Sequence, residues 1–197
     1  MDVDHNGSLF EYTHANHRMV PAIPPSRVLW MGSTRIVVAV VGVLVVTLYA
    51  ALLALDALVL DPLGAVPGAT LAEIHRHLDA QGFHVQTDIV VVIALASVGV
   101  VLAAGLSVLL LVTRAPTHVI AAVLLAAVVL GGPASFWSGF ALGMDVADAY
   151  GVGGGDHTIW AGVLYVTSLV ALIALPFVLV IGQAAHVRRT ALRARAV

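Results

Sequence analysis

The sequence contains no cysteine. That removes disulfides, thiolate-held metals and cysteine redox chemistry. Lysine is absent too, so all nine basic residues are arginine. Charge of either sign is scarce: only 10% of the 197 residues carry one, against about 25% in a typical soluble domain. Apolar residues make up 60%. A soluble globule of this size could not hide so much apolar surface, and a disordered chain would be far more polar. The catalytic signatures are missing as well. No Ser–His–Asp order, phosphate loop, nucleotide fingerprint, EF-hand loop or HExxH pattern occurs. What these absences leave is a multi-spanning membrane protein.

Four apolar stretches can cross the bilayer, at about residues 36–60, 89–112, 117–138 and 159–185. About 20 helical residues span about 30 Å of hydrocarbon. Each stretch must be helical, because unpaired backbone groups are too costly in lipid. Runs such as VVVIALASVGVVL would suggest strands in water, but that weak preference yields to the backbone requirement. The expected fold is an all-α integral membrane protein, an antiparallel bundle of four transmembrane helices. Residues 1–35 form an N-terminal tail, 36–185 the membrane domain, and 186–197 a basic tail. The first apolar run is long and lacks a convincing cleavage signal, so it should remain as a span.

The third stretch is interrupted by Gly131, Gly132 and Pro133. Proline removes a backbone donor and clashes with the preceding turn. The simpler expectation is a kinked helix that continues to Trp137 or Phe140. The sharper one is a broken helix lining a cavity, as in some transporters. Pro176 should bend the fourth helix without ending it.

Charge sorts across these spans. Arg18, Arg27, Arg35, Arg114, Arg188, Arg189, Arg193 and Arg195 fall on one side, and only Arg76 falls opposite. Asp61, Glu73, Asp79, Asp88, Asp145, Asp148 and Asp156 lie in the other loops. The positive-inside tendency then puts both termini in the cytoplasm of a plasma-membrane protein. Trp137 and Trp160 fall near the outer interface. Arg188, Arg189, Arg193 and Arg195 should sit against anionic lipid headgroups rather than nucleic acid.

The first outer loop carries a helix signal. Thr70 precedes LAEIHRHLDAQGF, with Glu73 three residues on, which is a capping-box pattern. Leu71, Ile74 and Leu78 share one face, and Gly82 is a sensible stop. A short amphipathic helix should lie on the membrane surface or cap the bundle. In the N-terminal tail, His5, His14 and His17 are not pre-arranged as ligands, and the section with Pro21, Pro24 and Pro25 should be extended.

Candidate chemistry is sparse. His75, His77, His84, Asp145, Asp148 and His157 could assemble a metal site across the two outer loops, since imidazole and oxygen suit several divalent metals. His84 with His157, or His118 with His186, could supply axial ligands to a haem. Neither group is the expected cofactor, because ordinary acidic loops and interfacial histidines account for the same residues. Asp56 is the only acid inside a span, one turn from its end, and is the transport candidate. Other span polar groups are hydroxyls: Thr47, Tyr49, Ser97, Ser107, Tyr165, Thr167 and Ser168. Gly99, Ala103 and Ser107 make a small-residue stripe suited to helix packing. The leading functional expectation is a non-catalytic integral subunit or scaffold that stabilises a complex with other membrane subunits. A transporter or channel component with an acidic outer vestibule is the alternative, and a haem- or metal-binding redox subunit the third.

Overall fold

The computed structural model describes residues 25–195. Among them there is no strand. The elements are α1 (Pro25–Leu55), a π-helical turn (Asp56–Leu60), α2 (Asp61–Ala65), α3 (Leu71–Ala80), α4 (Val85–Val112), α5 (Thr117–Tyr150) and α6 (Ile159–Arg195). Four helical segments are long and apolar enough to cross a membrane: Thr34–Ala65, Val85–Val112, Thr117–Tyr150 and Ile159–Ala185. They form an antiparallel four-helix bundle. The expected extended section at Pro21, Pro24 and Pro25 lies outside the described residues, except that α1 begins at Pro25.

Helix α5 is the hub. It packs on α1, α4 and α6, while α1 also packs along α4 but touches α6 only locally. Helices α4 and α6 therefore flank the α1/α5 pair. The core between α1, α4 and α5 includes Ala39, Val46, Leu53, Val92, Ala103, Ile120 and Leu124. Ala103 and Ser107, from the small-residue stripe on α4, are both buried there.

Pro133 does not end α5, which is helical from Thr117 to Tyr150. The Gly–Gly–Pro segment serves another purpose. A Cβ at Gly131 would fall inside the Tyr49 ring, and one at Gly132 would press on Ser168. The glycines form a notch into which α1 and α6 each insert a polar side chain. The helix also runs ten residues past Phe140, because Leu142 and Val146 bury against Ile74 and Leu78 of α3. At about 1.5 Å per residue, Trp137 lies about 30 Å from the start of α5, one hydrocarbon thickness. With Phe136 and Phe140 it forms an exposed aromatic cluster, as expected at an interface. The remainder of α5 projects beyond it.

Helix α3 caps that projection. Ile74 and Leu78 are completely buried. The capping box is present: the Thr70 N–H donates to Glu73 Oε2 at 2.8 Å, and the Glu73 N–H donates to Thr70 Oγ1 at 3.3 Å. The Thr70 backbone N–H first, and then the Thr70 Oγ1–H, which donates to Glu73 Oε2 at 2.8 Å, hold the Glu73 carboxyl below its ordinary range. At the other end, Gly82 adopts φ +90°. Its N–H donates to the Asp79 carbonyl, and the Phe83 N–H to that of Leu78, a Schellman stop. The α4–α5 link repeats this geometry without glycine. Arg114 sits at φ 54° while the Ala115 N–H bonds the Leu110 carbonyl at 2.9 Å.

Candidate functional site

The end of α1 is where the chain departs from simple helix. In an α-helix, residues five apart are about 140° apart around the axis. A π-turn closes i to i+5 bonds instead, and here the Asp61 N–H donates to the Asp56 carbonyl. Asp56 and Asp61 are thereby brought onto one face, toward the start of α6. Thr158 Oγ1–H donates to Asp56 Oδ1 at 2.6 Å, and the His157 N–H donates to Asp61 Oδ1 at 2.6 Å. Thr158 Oγ1 in turn accepts the Trp160 N–H at 3.2 Å. Two carboxylates thus grip the N-terminus of α6, where the helix dipole favours negative charge. Asp56 is only 6% exposed, although the sequence places it close to a helix end. The continuation of the helix through the π-turn and α2 is what encloses it.

Deeper in the bundle, Tyr49 joins α1, α5 and α6. Its hydroxyl lies 3.1 Å from Ser135 Oγ and 3.0 Å from Ser168 Oγ. Ser168 donates to the Val128 carbonyl at 2.9 Å, and Ser138 donates to the Ser135 carbonyl at 3.0 Å. Between this hydroxyl group and Asp56 lies a cavity of about 20 Å³, lined by Asp56, Asp61, Asp156, Ser135, Ser138 and Tyr165 among others. That is room for one water-sized molecule. The other span hydroxyls behave differently. Thr47 and Thr167 bond back to their own helices, and buried Ser107 Oγ has no hydrogen-bond partner.

The remaining candidates do not gather into one group, although His84, Asp145 and Asp148 lie near one another. His157 Nδ1 lies 3.6 Å from Asp61 Oδ1. His77 stacks on Tyr150 with ring centres 4.6 Å apart and lies beside Gln81. Asp145 neighbours Asp88, with Asp148 and His84 close by. His75 Nε2 is buried without a hydrogen-bond partner. Among the described residues no group of three or more His, Asp or Glu is arranged to hold a metal ion. For the haem pairs, His157 sits at the α1/α6 junction and His84 beside α5 at the start of α4. His118 packs where a Cβ on Gly182 would overlap its ring. The side chains of His186, Arg189, Arg193 and Arg195 lie outside the described residues, as do His5, His14 and His17.

Sequence reading singled out Asp56, Tyr49 and Ser168 separately. It passed over Ser135, Ser138 and Thr158. The available signal was the proximity of Ser135 and Ser138 to the glycine notch, and the position of Thr158 immediately before a span. Comparisons with protein-family models, curated proteins and solved structures find no match. The chain is accordingly described by what its own geometry establishes: a multi-pass helical membrane protein with a polar junction at one end of its bundle.

Proposed function

We propose that this chain is a non-catalytic integral subunit or scaffold of a larger membrane complex. The observation that carries the reading is an open groove between α1 and α4. Its volume is about 470 Å³, and small side chains dominate its lining, including Thr47, Ala50, Ala54, Ala96 and Ser97. Small residues let another membrane helix approach closely. The occupant in this reading is a transmembrane helix of a neighbouring subunit. Helix α4 buries the smallest share of its surface within the chain, so it has the most to gain from such a neighbour. The arginine sorting supports cytoplasmic termini in a plasma membrane. Arg188, Arg189, Arg193 and Arg195 then meet anionic headgroups, without a role for nucleic acid. Purification in mild detergent should yield other membrane subunits at fixed stoichiometry. Ala54→Leu with Ala96→Leu should release them while the isolated chain keeps its helicity. A chain that purifies alone, or partners retained by the filled groove, would contradict the proposal.

A transport or channel component is the second reading, favoured by the polar file from Asp56 to Ser168. Reconstituted protein would then move a solute, and Asp56→Asn would change the rate. Absence of flux across a broad ion and metabolite panel would remove a self-sufficient transporter.

A further inference from the structure

The groove between α1 and α4 differs from surface that simply faces lipid. The outward face of α6 shows the ordinary case. Val166, Leu169, Val170, Ile173 and Phe177 are large and more than half exposed. Thr167 among them donates to the Val163 carbonyl of its own helix at 2.7 Å, so no polar group is left over. The groove instead has alanine-rich walls and two hydroxyls, Thr47 and Ser97. Thr47 donates its proton to the Val43 carbonyl at 2.8 Å and so offers the groove only lone pairs. Ser97 is exposed, and its hydroxyl makes no hydrogen bond to any described residue. It still has a proton to donate. Thr47 lies one residue from the middle of the apolar run 36–60, and Ser97 about four from the middle of 89–112. At about 1.5 Å per residue, both hydroxyls are within about 6 Å of the bilayer centre, where no water can satisfy them.

These features define what an occupant must bring. Alanine walls leave room for large apolar side chains. The hydroxyls ask for a donor toward Thr47 and an acceptor toward Ser97. A charged side chain does not suit, because no acid or arginine lines the groove and an unpaired charge at this depth is costly. A serine or threonine does not suit either, since in a helix it bonds back to the preceding turn, as Thr47 and Thr167 do. An imidazole directs its donor and its acceptor along divergent edges, whereas a carboxamide carries both at one end. Resting on the reading of this groove as a docking face, we propose that its occupant is a transmembrane helix with one asparagine or glutamine near the bilayer centre, on a face otherwise made of large apolar side chains. The carboxamide oxygen accepts the Ser97 proton, and the amide N–H donates to the lone pairs of Thr47 or Ser97. Neither hydroxyl bonds another helix of this chain, so both are free to select the neighbour without a role in the fold.

The test uses the full chain in phosphatidylcholine vesicles with a synthetic helix as probe. The chain has no cysteine, so Ala72→Cys on α3 carries a single donor fluorophore. The acceptor-labelled probe is a run of about twenty leucines between lysine flanks, with or without one central asparagine, at a low peptide-to-lipid ratio. An interhelical hydrogen bond in lipid should make the asparagine peptide bind about three- to tenfold more tightly than the all-leucine peptide. Thr47→Val with Ser97→Ala should abolish that preference, leave binding of the all-leucine peptide unchanged, and leave Tm of the chain in detergent unchanged. Ala54→Leu with Ala96→Leu should abolish binding of both peptides. Equal binding of the two peptides to wild type would overturn this inference while leaving the docking face standing. An asparagine preference that survives Thr47→Val with Ser97→Ala would overturn it in the same way, marking association of the peptide with itself or with another face. Binding of neither peptide to wild type would overturn this inference and the docking face together.

Discussion

Helix α1 has two working sides, and they are held by different forces. Toward α4 the contact is apolar, and its buried Ser107 Oγ has no hydrogen-bond partner. Toward α5 and α6 the contact is a notch, a hydroxyl group and two carboxylates gripping a helix start. Packing alone in lipid gains little, because lipid tails are as apolar as leucine. The α4 side is therefore held by packing without directional side-chain bonds to α1. The α6 side has directional bonds that define one arrangement.

Five substitutions break or sharpen this contrast. The largest effect is expected from Gly131→Ala, which puts a methyl group into the Tyr49 ring and should cost about 3 kcal/mol. Gly105→Ala on α4 has open space around its Cβ and should leave unfolding unchanged, so equal losses at the two positions would erase the distinction. Tyr49→Phe removes the shared hydroxyl and should cost about 1 kcal/mol in detergent unfolding. Arg114→Gly relieves a left-handed backbone and should stabilise by about 1 kcal/mol; a loss instead would show that the arginine side chain matters more than its φ. The smallest effect concerns Glu73. Its carboxyl is held low by Thr70, so its stabilisation is complete above the ordinary carboxylate range and fades as pH falls through the lowered value. The Tm difference between wild type and Glu73→Ala should shrink on acidification, and a constant difference would contradict the capping box.

Much of the fold was legible because lipid leaves helices few alternatives. The span count, the α3 capping box and its glycine stop follow from residue type and spacing. The end of the third span was not legible, since Leu142 and Val146 extend α5 only by meeting Ile74 and Leu78 from a distant segment. Pro133 left a continuing kinked helix and a broken one both open, and the partners of the adjacent glycines, Tyr49 at Gly131 and Ser168 at Gly132, are remote in sequence. The polar junction was visible only in fragments. The π-turn that aligns Asp56 with Asp61 has no sequence mark, and Thr158 is 102 positions from its partner.

The central claim is that Asp56 and Thr158 act as a pair joining α1 to α6. A double-mutant cycle with Asp56→Asn and Thr158→Val, measured by reversible unfolding in detergent, isolates that pair from the capping of α6 by Thr158 alone. The structure predicts a coupling of about 1–2 kcal/mol. Additive losses, with no coupling beyond error, would contradict it.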